Sequence, residues 1–429
     1  MNRPARRCEV LIVGGGPTGL FLAVLLTARG VDVRVLERRR EASAHSRAIG
    51  LHPPALAALA AVGLHEAAVR QGTQIYCGRA RARDGDLGQV RFGRAWPERP
   101  YVLSLPQSRT ELLLEERLAA LAPAALHRGW EVTALRTHHG GVEVTAREDG
   151  ASVPGMRIRA SVVVGADGAR SRVRELLAIG TTGTEHPDTY LMGDLADPAD
   201  GSGNTASARE AFIHLEPDGV VESFPLPDGR RRWVVHTGVN PPAHPAPETA
   251  PETLTELVRS RTRIRLDPGS VTMLSAFTVR RRSAWPLLRG RAVLLGDAAH
   301  EISPIGGQGI TLGLLDALDV APLLKRSVTR RRRGPLRADP PWRRAARRVR
   351  RRALVAGMLA HANTAAGRPL PSSLSWLRER AVRLALSTPL RHVLGWVYSM
   401  GWTGASAAGG GTSTRTESSR AAGRLHDGR

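Results

Sequence analysis

The sequence predicts an α/β protein: a doubly wound parallel sheet, interrupted by a mostly antiparallel domain and followed by helices. Three observations carry that expectation. The apolar run Val10 to Val13 leads through glycines into an apolar helix, and a second strand-like run ends on Glu37. Strand–turn–helix text returns near residues 161–172 and again at 292–324. Between those two, from Thr181 to about Phe277, the chain is rich in proline, glycine and aspartate. Short runs such as Arg232 to His236 break it up like antiparallel strands.

In the first unit, Val10 to Val13 has the uninterrupted apolar character of a buried parallel strand. Gly14, Gly16 and Gly19 follow at the spacing G-x-G-x-x-G, with Pro17 and Thr18 inside it, and a helix is expected from Thr18 to Ala28. Glycines let the backbone turn tightly and approach a pyrophosphate, and the helix N-terminus offers N–H groups and a partial positive charge. Val31, Val33, Val35 and Leu36 form the second strand. Glu37 ends it about 20 residues past the glycines, where a ribose hydroxyl is read. This is a Rossmann-type dinucleotide site, and the glycines alone do not separate FAD from NAD.

A basic loop, Arg38 to Arg47, precedes a helix that Pro53 and Pro54 start and Gly63 stops. Residues 73–101 alternate in short pieces between glycine and proline breaks, and read as strands of a second layer. An amphipathic helix begins after Gln107. Strands are expected around Trp130 to Leu135, at Val142 to Thr145 and at Ser161 to Val164. The last ends in Gly165-Ala166-Asp167-Gly168, with a helix starting near Ser171. After the interruption, Ala292 to Leu295 is a strand, Gly296-Asp297 ends it, and a glycine-rich loop enters a helix from Ile310 to about Leu324. Beyond the arginine run, helices are expected at about 345–364, 374–386 and 390–400. The expected division is 1–75, 102–180 and 278–325 as the nucleotide domain and 76–101 with 181–277 as a substrate domain. Residues 326–403 make a helical extension, and 404–429 a tail whose small polar composition predicts disorder.

The formal charge is +23, from 62 basic and 39 acidic residues. Lys325 is the only lysine, and much of the excess lies between Arg326 and Arg352. With no zinc-finger or RRM-type signature and only 4% aromatic residues, this charge does not point to nucleic acid. No Cys/His cluster has metal-ligand spacing. Only Cys8 and Cys77 occur, which fits a reducing cytoplasm. Arg6 and Arg7 before an apolar stretch mimic a signal peptide, but the glycines and Glu37 argue for a ligand site instead.

Taken together, GGGPTG (14–19), GADGARSRVR (165–174) and GDAAHEISPIGGQG (296–309) resemble the single-component FAD-dependent aromatic hydroxylases. These are class A flavoprotein monooxygenases of the p-hydroxybenzoate hydroxylase type. The resemblance covers about residues 8 to 325. It implies a Rossmann-type FAD-binding domain with an inserted antiparallel substrate sheet. It also implies a set of cofactor residues. The pyrophosphate would meet Gly14, Gly16, Pro17, Thr18, Gly19 and Arg47; the adenosine would meet Glu37, Arg38 and Val132. Gln107 would lie beside the FAD, and Asp167 and Gly168 would support it and bear on NAD(P)H binding. Asp297 would hold a ribityl hydroxyl. Pro304, Gly307, Gly309, Ile310 and Thr311 would line the pyrimidine edge of the flavin. Thr311 departs from the usual Asn, which blurs the subfamily.

By the same resemblance, NADH or NADPH reduces the FAD and O2 is activated as a flavin C4a-hydroperoxide. An apolar aromatic or polycyclic small molecule is then hydroxylated or epoxidised. The substrate-orienting tyrosines and arginine of p-hydroxybenzoate hydroxylase cannot be identified, so its substrate does not transfer. No catalytic residue is assigned; His214 and His236 are candidate bases in the insert, with a structural role as the other reading, and His300 reads as part of its loop. Prenyl reductases or cyclases share the fold and stay open as alternatives. Flavin halogenases also share it, but their W-x-W-x-I-P segment and active-site lysine are missing. The C-terminal helices mix Trp376, Leu377, Trp396 and Trp402 with Arg378, Arg380, Arg383 and Arg391. They read either as a cap on the FAD domain or as a peripheral membrane contact.

Overall fold

The computed structural model describes residues 6–42, 48–83, 85–138, 140–152, 155–198, 207–239, 250–330 and 334–404. Arg47, and the tail beyond Gly404, lie outside them. In chain order, β1 (Arg6–Val13), α1 (Pro17–Thr27) and β2 (Val33–Glu37) make the first unit. The hairpin β3 (Cys77–Ala82) and β4 (Gly85–Arg91) follows, then α2 (Gln107–Leu121). Next come β5 (Trp130–His138), β6 (Gly141–Glu148), β7 (Met156–Gly165) and α3 (Arg172–Leu176). The long antiparallel stretch holds β8 (Thr181–Ala196), β9 (Glu210–His214), β10 (Val221–Leu226), β11 (Arg230–Val239), α4 (Pro251–Thr262) and β12 (Met273–Ala284). The chain then returns through β13 (Ala292–Leu294) and α5 (Gly309–Thr329). It continues as α6 (Pro340–Ala366), α7 (Ser372–Ser387) and α8 (Leu390–Tyr398).

The first sheet runs β13–β7–β1–β2, all parallel, with 126–128 beside β2 and 288–289 antiparallel to β13. Val10 pairs with Val33 on one side and Val162 on the other, so an apolar run without alternation is what a strand covered on both faces needs. On one face α1, buried from Gly19 to Leu26, packs with Leu314, Ala317 and Ala321 of α5. On the other, Leu11, Val13 and Leu36 pack under the β5–β6 hairpin through Val132, Val142 and Val144. That hairpin joins this sheet through the antiparallel β6–β7 pair.

The second sheet runs β12–β8–β11–β10–β9–β3–β4, with 300–301 at the β12 edge. All pairs are antiparallel except β9 with β3. One face, with Leu191, Leu195, Val221, Trp233 and Val235, is covered by Leu254 and Val258 of α4. The opposite face carries Tyr190, Met192, Val234, Met273 and Phe277, and Ile305 packs on it from the loop before α5.

Two boundaries differ from expectation. α5 runs on to Thr329, with Pro322 inside it. α6 starts at Pro340, inside the arginine run, rather than near 345. There Trp342, Ala345, Val349, Ala353, Ala356 and Ala360 form a buried stripe at helical spacing, and the arginines between them point outward except Arg352, which turns in towards α5. Several are paired: Arg348 and Arg352 with Asp319, and Arg352 also with Asp316. α7 and α8 lie on β4 and share a cluster with Phe92, Phe224 and Leu386. Their outer surface leaves Leu374, Trp376, Leu377, Leu384, Leu390, Val393 and Trp396 exposed. Among the described residues no helix is long and apolar enough to cross a membrane, no acid–His–Cys cluster could hold a metal ion, and both cysteines are free and buried.

Candidate functional site

The site is assembled where the parallel strands end. Gly14 turns with φ +113, and a Cβ there would stand 2.2 Å from the Ala166 carbonyl oxygen, so only glycine lets the ends of β1 and β7 touch. A Cβ on Gly19 would stand 2.0 Å from the Gly14 carbonyl oxygen, inside the first turn of α1. Pro17 opens α1, and no side chain caps its N-terminus. The Thr18 hydroxyl group is wedged against α5 and the 296 turn: Cβ atoms on Gly313 and Gly296 would stand 2.1 and 2.7 Å from its Oγ1. Thr18 therefore packs between elements as well as standing at the helix start.

Glu37, buried at the end of β2, accepts the Gly15 N–H at 2.6 Å, and the Arg39 N–H and Nε at 2.9 and 3.1 Å. Burial pushes its carboxyl up, but the two backbone N–H groups and the Arg39 charge outweigh this and hold it below its ordinary range. Arg38 is exposed. Across the turn stands Glu111, which sequence reasoning missed. It is 1% exposed, and its Oε1 accepts Gln107 Nε2 at 2.7 Å. Its Oε2 is buried without a hydrogen bond, 3.9 Å from the Arg39 guanidinium. Burial raises its pKa. Val132 is 3% exposed in the core cluster under the hairpin, so its side chain packs inward and only its backbone faces out of that core.

Asp167 follows β7 and braces the start of α3, accepting Ser171 Oγ at 2.5 Å and the Val173 N–H at 3.0 Å, while Ser171 itself caps the helix; Gly168 turns beside Asp167 with φ +80. Asp297 follows β13 and the positive-φ Gly296. Protein surrounds it on most sides, yet the residue is open to solvent, as a side chain lining a slot would be; that enclosure raises its pKa. The turn is held from behind by a second missed residue, Asp316 of α5. This fully buried carboxylate accepts His300 Nε2 at 2.5 Å, the Gly296 N–H at 3.3 Å and Arg352 Nη2 at 3.4 Å.

The 304–309 loop lies over the short strand at 50–51: a Cβ on Gly50 would stand 3.3 Å from the Gly307 carbonyl oxygen. Pro304 is exposed, Gly307 and Gly309 are half-buried, Ile310 is buried, and no side chain caps the α5 N-terminus. The Thr311 hydroxyl accepts the His52 N–H at 3.3 Å, so its side chain faces protein rather than the loop mouth. His52 itself is buried among Gly306, Gly307 and Tyr398, and burial lowers its pKa to about 4. Of the candidate bases, His236 is fully buried against Asp188, which Arg368 also holds, and His214 is buried with its pKa lowered to about 4 by burial. Both have structural surroundings.

The chain matches the FAD binding domain family over residues 7–339. It is 36% identical over 322 residues to a rifampicin monooxygenase of Streptomyces venezuelae, covering 73% of this chain and 63% of that protein. It is 34% identical over 315 residues to a 6-methylpretetramide 4-monooxygenase of Streptomyces rimosus, covering 73% of this chain and 55% of that one. It thus spans less than two thirds of either relative. Its fold is similar to that of a p-nitrophenol 4-monooxygenase from Pseudomonas putida. The TM-score is 0.77 at 23% identity, covering 92% of this chain and 98% of that one. An anhydrotetracycline hydroxylase from Streptomyces rimosus aligns with TM-score 0.71 at 27% identity, covering 92% and 76%. With the glycine turn, Glu37, Asp297 and the loop before α5 all at the strand ends, the chain belongs to the FAD binding domain family and has the fold of the p-hydroxybenzoate hydroxylase-like aromatic hydroxylases.

Proposed function

We propose that this protein is an FAD- and NAD(P)H-dependent monooxygenase that uses O2 to hydroxylate or epoxidise an apolar aromatic or polycyclic small molecule. The observation that carries the reading is the contact of Ile305 with the apolar face of the second sheet. It sets the cofactor loop against a wall of Tyr190, Met192 and Phe277, which suits a flat apolar substrate. The relatives named for rifampicin and tetracycline-type compounds support the polycyclic class.

The residues fit FAD. The uncapped α1 N-terminus and the cradle that a Cβ at Gly14 would fill suit a pyrophosphate, with Gly16, Pro17, Thr18 and Gly19 around it. Glu37 would take a ribose hydroxyl, with Arg38 and the Val132 backbone towards the adenine. Glu111 stands with its Oε1 towards Gly16 and its Oε2 without a hydrogen bond and ready for a hydroxyl donor, and Gln107 is the residue that orients it. Asp297, open in its slot, would take a ribityl hydroxyl. Pro304, Gly307, Gly309 and the N–H groups of Ile310 and Thr311 would face the pyrimidine edge. Asp167 and Gly168 would support the cofactor by fixing the turn at 165–168. When bound, FAD accepts a hydride from NAD(P)H and activates oxygen. The chain's own part is to orient both partners, stabilise negative charge with the positive end of α5, and keep water out through the Ile305 contact.

Incubation of the flavin-loaded protein with NADH or NADPH, isotopically labelled O2 and a panel of polycyclic phenols tests this. Substrate-stimulated NAD(P)H oxidation with label in the product is the expected result. A product changed in skeleton without label would move a reductase or cyclase into first place. For the cofactor residues, Glu37→Gln keeps the shape but removes a charged acceptor, and should weaken FAD binding roughly tenfold or more. Free-flavin fluorescence on dilution reads this, and unchanged retention would remove Glu37 from the set. The exposed Trp376, Leu377, Leu384 and Trp396, interspersed with exposed Arg380, Arg383 and Arg391, support a peripheral contact of α7 and α8 with an anionic lipid surface. Co-sedimentation with anionic but not neutral vesicles is expected, and equal binding to neither would leave these helices as a cap.

A further inference from the structure

The inner face of the second sheet carries a carboxylate that the reading above does not use. Glu222 of β10 stands opposite Ile213 of β9 and Val234 of β11, and Val234 pairs in turn with Met192. This places it on the face of Tyr190, Met192 and Phe277, against which Ile305 packs. It is half-buried, and among the described residues nothing donates to it. Other acids of this sheet are closed: Asp194 by Arg232, Asp188 by Arg368 and His236, and Glu210 by Arg79.

The groups that face Glu222 are the phenols of Tyr190 and Tyr398, whose ionisation its charge opposes, and the closed Arg232–Asp194 pair further along the same face. Tyr398 connects this place to the cofactor loop. Its Oη donates to Asn363 Oδ1 at 2.9 Å, and a Cβ on Gly306 would stand 3.5 Å from Asn363 Nδ2. α6 and α8 thus close the sheet face beside the loop. Burial pushes the Glu222 carboxyl up to about 7. An apolar ligand that covered it without offering a donor would strip its water and leave a charge unpaired, which costs binding.

We propose that Glu222 selects the substrate, accepting a hydrogen bond from a hydroxyl of a neutral polycyclic phenol bound along the inner sheet face beside the Ile305 contact. The assignment rests on the monooxygenase reading and narrows it: hydroxylated, uncharged ring systems bind, and carboxylated ones are repelled. A charge-assisted hydrogen bond from a phenol also pushes electron density into the ring that is to be oxidised.

Equilibrium dialysis of the flavin-loaded protein against 2-naphthol and 2-methoxynaphthalene tests this, since the two differ chiefly in the donor. At about pH 8, above the titration of Glu222, the wild type should prefer the naphthol by about tenfold. Glu222→Gln should cut that preference to about twofold or less, leaving flavin content and the methoxy compound's affinity unchanged. 2-Naphthoate should bind Glu222→Gln better than the wild type. If the variant does not fold, the wild type still decides. Its preference should shrink at about pH 5.5, where the carboxyl is protonated. Equal affinity of the wild type for both probes, or a preference that survives Glu222→Gln, overturns the assignment. None of these readouts involves oxygen. A clear naphthol preference without NAD(P)H oxidation would sink the monooxygenase proposal and leave this one standing.

Discussion

Gly14→Ala is expected to give a protein that loses flavin on desalting and melts far below the wild type. Two costs add. The φ of +113 is strained for any residue with a Cβ, and that Cβ would meet the Ala166 carbonyl carbon at 2.5 Å and its oxygen at 2.2 Å. Both neighbours are backbone at the centre of the parallel sheet, so neither can swing aside; β1 and β7 must part. Together the strain and the clash should cost roughly 3 to 5 kcal/mol. That is a large share of the roughly 5 to 15 kcal/mol that holds a typical domain. Gly30→Ala is the control. Gly30 also has positive φ, at +74, but a Cβ there meets nothing within 4 Å, so only the backbone strain remains, about 1 kcal/mol. Thermal melts of the two variants separate strain from clash. If Gly14→Ala fell no further than Gly30→Ala, the approach of β1 to β7 would not be what fixes this glycine.

The features legible in the sequence are those whose physics is local. The glycine turn, the uniformly apolar α1 and the acid ending β2 are each specified within a few residues, because a turn geometry or a doubly covered strand imposes its own residue types. The inserted sheet was legible as a change of texture, but its edge was not obvious: β3 pairs in parallel with β9 across 133 residues, linked by the Cys77–Glu210 contact. Glu111 looked like one acid of an amphipathic helix. It matters because folding sets it beside Gly16 and Arg39. Asp316 is in the same position, since its partners His300, Gly296 and Arg352 lie on three other elements. Thr311 shows the limit from the other side. Its place at the α5 N-terminus could be read, but its hydroxyl is taken by the His52 N–H, 259 residues away in sequence. The arginine run misled about the start of α6, because charge masks an alanine-and-valine stripe whose period only shows once its inward face is known.

Asp316→Asn should be the second severe variant, and its signature is a reversal of pH dependence. In the wild type, burial alone would lower the His300 pKa. The Asp316 charge and hydrogen bond outweigh that and hold it above the ordinary value, with Asp297 adding to the rise. A histidine with a raised folded pKa contributes stability that is fully present below its unfolded pKa, near 6.5. That contribution fades as pH rises through the higher folded value. Asparagine keeps the volume and an acceptor but removes the charge, leaving a buried imidazole whose burial and the Arg352 charge both lower its pKa, against the weaker opposing pull of Asp297. The sign then inverts: the variant is penalised below about pH 6.5, where His300 would have to be charged, and recovers as it becomes neutral. At about pH 6 the loss should be about 3 to 5 kcal/mol, the usual cost of taking one partner from a buried pair. Melting at about pH 6 and pH 9 checks this, with the gap between wild type and variant narrowing at the higher pH. Parallel profiles would mean that His300 is neutral in the folded protein. The turn carrying Asp297 would then be held by the Gly296 N–H bond to Asp316 without help from an ion pair.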